Sequence, residues 1–211
     1  QHAAGDAASA LADSFHYALL KEDIAPLIDE STNGLQRVKD IVESLKRFAQ
    51  EEQNSWQEVN IEEICEQIAR LVETQFKHPV FKVSCAPPGL RLFCNPGMLK
   101  QALVDIVINA AQSISAKGFV KIEIGTQKRG TVIKVIDSGC GIAPEHIKKI
   151  FDPFFTTRPE GEGKGLGLSV AYSTIEKHKG TIRASSKPGK GTVIEILLPP
   201  INIEDASELS A

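Results

Sequence analysis

The chain has 211 residues, 42% of them hydrophobic, enough for one core of ordinary domain size with a helical appendage. Its 24 basic and 27 acidic residues leave a net charge of −3, which gives no electrostatic basis for nucleic acid as a partner; no apolar run approaches the ~20 residues that span a bilayer. Cys65, Cys85, Cys94 and Cys140 are too widely spaced for a zinc or redox motif and read as reduced, mostly buried thiols of an intracellular protein.

The amino terminus lacks the charged-then-apolar pattern of a secretory signal. Because Gln1 is not an initiator Met, the chain is expected to be a piece of a longer protein, one that a membrane-spanning sensor could precede. Ala8, Leu11, Phe15, Ala18 and Leu19 recur near helical spacing and predict a short first helix over about 7–20, turning at Lys21–Asp23. Beyond it Ile24, Ile28, Ser31, Leu35, Val38, Val42, Leu45 and Ala49 step by four and three, the seam of a coiled coil or helical bundle. A second row at Leu20, Leu27, Gly34, Ile41 and Phe48 widens that stripe towards a four-helix bundle. Asp23 can cap the helix, Pro26 falls in its first turn at no cost, and Gly34 weakens its middle. The expected arm is a lopsided hairpin over 1–54, with a second helix over about 23–50 and a first helix cut short. A lone amphipathic helix folded on its own domain is the competing reading.

Polar Gln50–Gln57 reads as a linker to a second domain over about 55–200. Asn60 and Glu63 have the spacing of a capping box and predict a helix over about 61–76. Val80–Cys85 and Leu90–Cys94 are strand candidates on either side of Pro87-Pro88-Gly89. Asn95-Pro96 pairs a side-chain cap with proline at the first helical position, and the helix is expected to run to about Ala116. Phe119–Thr126 and Thr131–Asp137 alternate as a hairpin around Arg129-Gly130. A short helix over about 144–150, a long irregular stretch and a helix from Gly165 to His178 follow, then strands Thr181–Ser186 and Thr192–Leu198. Strands that neighbour one another in sequence fit an α+β two-layer sandwich better than a doubly wound sheet. The acidic tail over 201–211 is expected to be disordered.

Three clusters carry chemistry. Gln101, Asp105, Asn109 and Gln112 form a polar strip on a helix otherwise lined by Leu99, Leu103, Ile106 and Ala110. An Asn oxygen there can complete the shell of Mg2+, although such a strip is more often a solvated face. Asp137-Ser138-Gly139-Cys140-Gly141-Ile142 ends a strand with a carboxylate able to accept from an exocyclic amine, and two glycines let backbone approach a flat ligand; alone, the pattern is an ordinary turn. Gly161, Gly163, Gly165 and Gly167 alternate and open a helix, which can turn N–H groups towards phosphate oxygens. No Gly-Lys-Ser/Thr follows, so a hinged cover suits these glycines better than a Walker loop.

In this order the clusters resemble the motifs of histidine kinases in the GHKL superfamily, whose fold is shared with Hsp90, DNA gyrase and MutL. QALVDIVINAAQSI (101–114) resembles the N box, DSGCGI (137–142) the G1 box, FDPFFTTR (151–158) the F box and GEGKGLGLSVAYSTIEKHKG (161–180) the G2 box. GKGTVIEILLP (189–199) matches as well, and the resemblance covers about residues 24–199. It implies the Bergerat ATP-binding fold, with Asn109 holding Mg2+ and Asp137 accepting the adenine amino group of ATP or ADP. Gly139, Gly141, Ile142 and Thr192 would line the adenine pocket. Phe151, Phe154 and Phe155 would seat a mobile lid, and Thr156, Thr157, Arg158, Gly163, Lys164, Gly165, Leu166, Gly167 and Leu168 would adjoin the phosphates.

EDIAPLIDESTNGLQRVKDIVESLKRFAQ (22–50) resembles the second dimerisation helix of the nitrogen-regulator-like branch, which implies homodimers through 23–50 and a response-regulator receiver domain as partner. None of His2, His16, His78, His146 or His178 has the context of that branch's phosphoacceptor, a His-Glu motif with a Pro several residues on. The acceptor is expected upstream of Gln1, so this fragment should bind nucleotide without phosphorylating itself. The segment is expected in the cytoplasm, without membrane contact of its own, with an inner-membrane anchor conceivable in the full protein. Three positions depart from the family pattern. Asp105 replaces an Asn and falls where hydrolysing GHKL ATPases place a general base, Arg158 replaces Lys, and His178-Lys179-Gly180 lacks one of two paired glycines. Asp105 thus admits ATP hydrolysis, and a nucleotide-gated dimerisation module without turnover is a further alternative.

Overall fold

A computed structural model describes Thr32 and residues 56–76, 79–159 and 163–201. The expected hairpin with His2 and His16 lies outside the described residues, apart from Thr32, as do His78, Gly161 and the tail beyond Ile201. The chain divides into two compact units, Gln1–Gln50 and Glu51–Ala211, and the second holds every element that follows. They are β1 (Gln57–Asn60), α1 (Ile61–Glu73), β2 (Pro79–Ala86), β3 (Arg91–Cys94), α2 (Pro96–Gln112), β4 (Gly118–Gln127), β5 (Gly130–Asp137), α3 (Gly167–Lys177), β6 (Thr181–Lys187) and β7 (Gly191–Leu198).

Local chemistry sets the helix starts. The Asn60 side-chain oxygen accepts from the Glu62 N–H at 3.1 Å while its amide donates to Glu63 at 2.9 Å, a side-chain variant of the expected capping box. The Asn95 oxygen accepts from the Met98 N–H at 3.2 Å, and Pro96 takes a position whose N–H needs no partner. α2 ends at Gln112 rather than near Ala116, because Ser113 closes the last turn. Its N–H reaches the Asn109 and Ala110 carbonyls, and its hydroxyl donates to the Ala110 carbonyl.

Five strands form a mixed sheet in the order β2-β4-β5-β7-β6, with β2 and β4 parallel and the other pairs antiparallel. The hairpin expected from Phe119–Thr126 and Thr131–Asp137 is present as β4 and β5. The strands flanking Pro87-Pro88-Gly89 belong to different sheets, since β3 pairs with β1 in a separate two-stranded sheet. The end of the expected linker is therefore ordered strand. The helix expected over 144–150 is a run of turns instead, with N–H to carbonyl bonds from His146 to Ala143 and from Lys149 to His146. Those bonds span three residues, so the turns do not close as an α-helix.

The helices cover one sheet face, consistent with the two-layer α+β expectation. Val120, Ile122, Ile124, Ile133, Val135, Ile194, Ile196 and Leu198 are buried there with Leu99, Leu103, Ile106, Ala171 and Ile175 in one core. Each such aliphatic side chain contributes roughly 1.5–3 kcal/mol on full burial. The other face carries the exposed ion pairs Lys121–Glu123 and Lys134–Glu195, as a half-solvated sheet should. Among the described residues no helix is long and apolar enough to cross a membrane.

His178 ties the helix ends together. At 1% exposure, its Nε2 accepts from the Asn95 N–H at 3.1 Å, so Nδ1 carries the proton and donates to the Thr174 carbonyl at 2.8 Å. The ring lies 4.6 Å from that of Trp56, the sole tryptophan. His178→Leu takes the ring acceptor from the buried Asn95 N–H and leaves the Thr174 carbonyl only the residue-178 backbone N–H; it is expected to lower stability by about 2–4 kcal/mol, measured by urea denaturation with Trp56 fluorescence as the signal.

Candidate functional site

The expected clusters converge on one cavity of about 370 Å3 between α2, the turns after β5, the start of α3 and the inner face of β5 and β7. That volume lies in the ~300–1,000 Å3 range of small-molecule sites. A wider hollow of about 560 Å3 by the β4–β5 turn and β6 gathers none of the three clusters, so size alone does not locate the site.

At one end Asp137 closes β5 with its residue 7% exposed. Its Oδ1 accepts from the Gly139 N–H at 2.8 Å, the Ser113 hydroxyl at 3.1 Å and the Thr192 N–H at 3.2 Å. Among the described residues no buried side-chain oxygen or nitrogen lacks a partner, yet no donor reaches Oδ2. Oδ2 therefore opens onto the cavity with its lone pairs available to an amine. Burial pushes the Asp137 carboxyl above its ordinary value, and the bonds from Gly139, Ser113 and Thr192 pull it only part of the way back.

Gly139 has no room for a side chain, since a Cβ would fall 1.8 Å from the Ser113 hydroxyl oxygen. Gly141, Ile142, Val135, Thr192 and Ile194 complete this end. The pocket wall at Ile106, Ile142, Ile150 and Ile194 is apolar, suited to a flat ring.

The other end is basic and amide-rich. Asn109, Gln112, Thr156, Thr157, Arg158, Gly163, Lys164, Gly165 and Leu168 line it. The Arg158 guanidinium donates to the Asn109 oxygen through Nη2 at 3.4 Å and to the Gln112 oxygen through Nη1. Asn109 thus already presents its oxygen to a cation, as a metal ligand must. Gly165 is left-handed at φ 64°, and a Cβ there would collide with the Phe154 carbonyl carbon at 2.4 Å. α3 begins with no side-chain cap at Leu166, so its amino end offers first-turn N–H groups beside Gly165.

Six expected residues are not on the cavity wall. Gly139 lies in the turn after β5, Leu166 and Gly167 open α3, and a Cβ added at Gly167 would meet the Asp105 and Asn109 side chains at ordinary contact distance. The Asp105 Oδ1 accepts from the Gln101 amide at 3.1 Å. The three phenylalanines part company. Phe155 lines the cavity beside His146, Phe151 packs on Tyr172, and Phe154 is 62% exposed at φ 65°. Ser113 and Cys140, inside the quoted motifs but given no role there, and His146, outside them, also line the cavity. Among the thiols expected to be mostly buried, Cys65 and Cys94 are, Cys85 is half-buried and Cys140 is exposed. Among the described residues no His, Cys, Asp or Glu cluster of metal-binding size occurs, so any cation here relies on amide and ligand oxygens.

Residues 94–202 match the family described as Histidine kinase-, DNA gyrase B-, and HSP90-like ATPase, more than half of the chain, and the chain belongs to that family. The chain thus carries a domain of the ATPase type, a class that binds nucleotide. The signal transduction histidine-protein kinase AtoS of Escherichia coli strain K12 is 34% identical over 168 residues, 78% of this chain and 27% of the relative. The sensor histidine kinase ZraS of Salmonella typhimurium is 34% identical over 184 residues, 85% of this chain and 38% of the relative. The chain thus spans well under half the length of these curated relatives. The catalytic domain of histidine kinase ThkA superposes with a TM-score of 0.62 at 30% identity, covering 69% of this chain and 95% of that one.

The raised Asp137 pKa fixes two signs. The folded chain holds this proton more tightly than the unfolded chain, so the associated stability is present at low pH and is lost as pH rises through the raised value. Asp137→Asn is expected to raise the melting temperature of the ligand-free chain at neutral pH. Adenine-nucleotide affinity should fall as pH drops through the raised pKa, and in the Asn variant that acid limb should vanish; calorimetric titrations across pH check it.

Proposed function

We propose that this chain is the ATP-binding catalytic part of a sensor histidine kinase. It positions ATP so that the γ-phosphoryl passes to a histidine nitrogen for relay to a response-regulator aspartate. The observation that carries this is the pairing, in one cavity, of the open Asp137 Oδ2 with the cation-facing Asn109 oxygen. Purine amine and metal-bound phosphate are complementary to those two ends.

Asp137 would accept the exocyclic amine of adenine, while Ile142 and Ile194 exclude water from the ring. Asn109 would hold Mg2+, which when bound supplies charge neutralisation at the phosphate oxygens. Lys164, Arg158 and the uncapped start of α3 direct positive potential at the same end. In the transfer the bond from the γ-phosphorus to the bridging oxygen breaks, a nitrogen–phosphorus bond forms and ADP leaves. The imidazole proton passes to a base beside the acceptor. Acceptor and base belong to a dimerisation hairpin, so the working form would be a homodimer through 23–50, with a receiver domain as the next partner. A cytoplasmic setting follows from that partner.

Hydrolysis by Asp105 is less well supported, because that carboxylate takes a Gln101 hydrogen bond under Gly167 and is not on the cavity wall. Two experiments test the proposal. Asp137→Ala should weaken ADP binding by roughly 10- to 150-fold, the equivalent of about 1.5–3 kcal/mol for a hydrogen bond to a charged group. With labelled ATP and a separate hairpin carrying the His-Glu motif, acid-labile label should appear on the hairpin. Phosphate release without that label, abolished by Asp105→Asn, would instead establish a hydrolase.

A further inference from the structure

Arg158 is the unusual cation of the site, standing where the family pattern has Lys, and it does something a Lys could not. Its planar fork reaches two side-chain oxygens at once, Asn109 Oδ1 at 3.4 Å and Gln112 Oε1. These residues lie three apart in the last turn of α2, so their side chains project from one face. That turn contains no basic residue of its own, and its carbonyl end carries partial negative charge. Arg158 supplies the missing positive charge from another segment. Its own backbone is set by the Thr156 hydroxyl, which accepts the Arg158 N–H at 3.1 Å.

We propose that Gln112 is a positioning residue that parks Arg158 on the Asn109 oxygen, making guanidinium and Mg2+ competitors for one ligand atom. The inference rests on the nucleotide assignment above. Without nucleotide, the arginine neutralises the polar end of α2, and metal-bound nucleotide enters by exchanging one cation for another. Metal-free ADP needs no such exchange, because Arg158 stays in place facing the phosphates. Gln112 acts only through Arg158. Being exposed, it can be changed without opening the core.

Gln112→Met keeps length and helix propensity but removes the oxygen that anchors the fork. If the parked state dominates the ligand-free chain, apparent metal affinity is reduced by the fraction of sites so occupied. Binding of a fluorescent ADP analogue is measured at increasing Mg2+, and separately in chelator. For Gln112→Met the Mg2+ concentration giving half-maximal enhancement should fall about three- to tenfold, with melting temperature retained. Arg158→Lys, whose ammonium cannot fork, should shift the same midpoint in the same direction. An unchanged or raised midpoint in both variants, with ADP still bound, overturns the competition and leaves the nucleotide assignment standing. Failure of the unmodified chain to bind the analogue at any Mg2+ concentration overturns that assignment and this inference with it.

Discussion

The architecture of the site depends on a single carboxylate oxygen. Asp137 Oδ1 gathers a hydroxyl from the end of α2, an N–H from the turn after β5 and an N–H from the start of β7. Three segments distant in sequence are thereby fixed against one atom. Because Oδ1 is consumed by structure, Oδ2 is left to face the cavity in a defined direction. A buried carboxylate bound by three donors is expensive to desolvate but well oriented, and orientation is what recognition of a single amine requires.

The same junction explains why the glycines and the helix end sit where they do. Ser113 ends α2 earlier than propensity alone suggests, its hydroxyl lying within reach of both the Ala110 carbonyl and Asp137, between which its one proton is shared. Its side chain then fills the space where a Gly139 Cβ would go. The Cys140 N–H donates to the Ser113 carbonyl at 3.0 Å, and the Gly189 N–H donates to the Cys140 carbonyl at 2.7 Å. The β6–β7 turn is thus joined to the end of α2 through the glycine turn. Shape and polarity at the Asp137 end of the cavity are properties of this network rather than of Asp137 alone.

What the sequence made legible was local. Asn95-Pro96, the alternating strands and the spacing of Asn109 and Asp137 all announce themselves within a few residues, and each stands in the structure near its expected place. The misses share long range. β1 has Val59 as its only aliphatic residue among Gln57–Asn60, and it becomes a strand only because β3 pairs with it. His178 meets Asn95 across 83 positions, and Arg158 meets Gln112 across 46, so neither bond has a periodic signature. Phe154, expected to seat a lid with Phe151 and Phe155, instead stands 62% exposed at a positive φ that its sequence does not signal.

Charge is divided along the cavity, with the acid at one end and Arg158 and Lys164 at the other. A polyphosphate reversed in the cavity would set its negative charges beside Asp137, where burial leaves little water to screen them. An adenine amine facing the guanidinium would gain no acceptor, because Arg158 only donates. On the proposed reading, attraction at each end and repulsion on reversal would act together, so the wrong pose would enforce orientation as much as the right one. Under the proposed nucleotide assignment the acid would therefore act twice, accepting the amine and rejecting the phosphates.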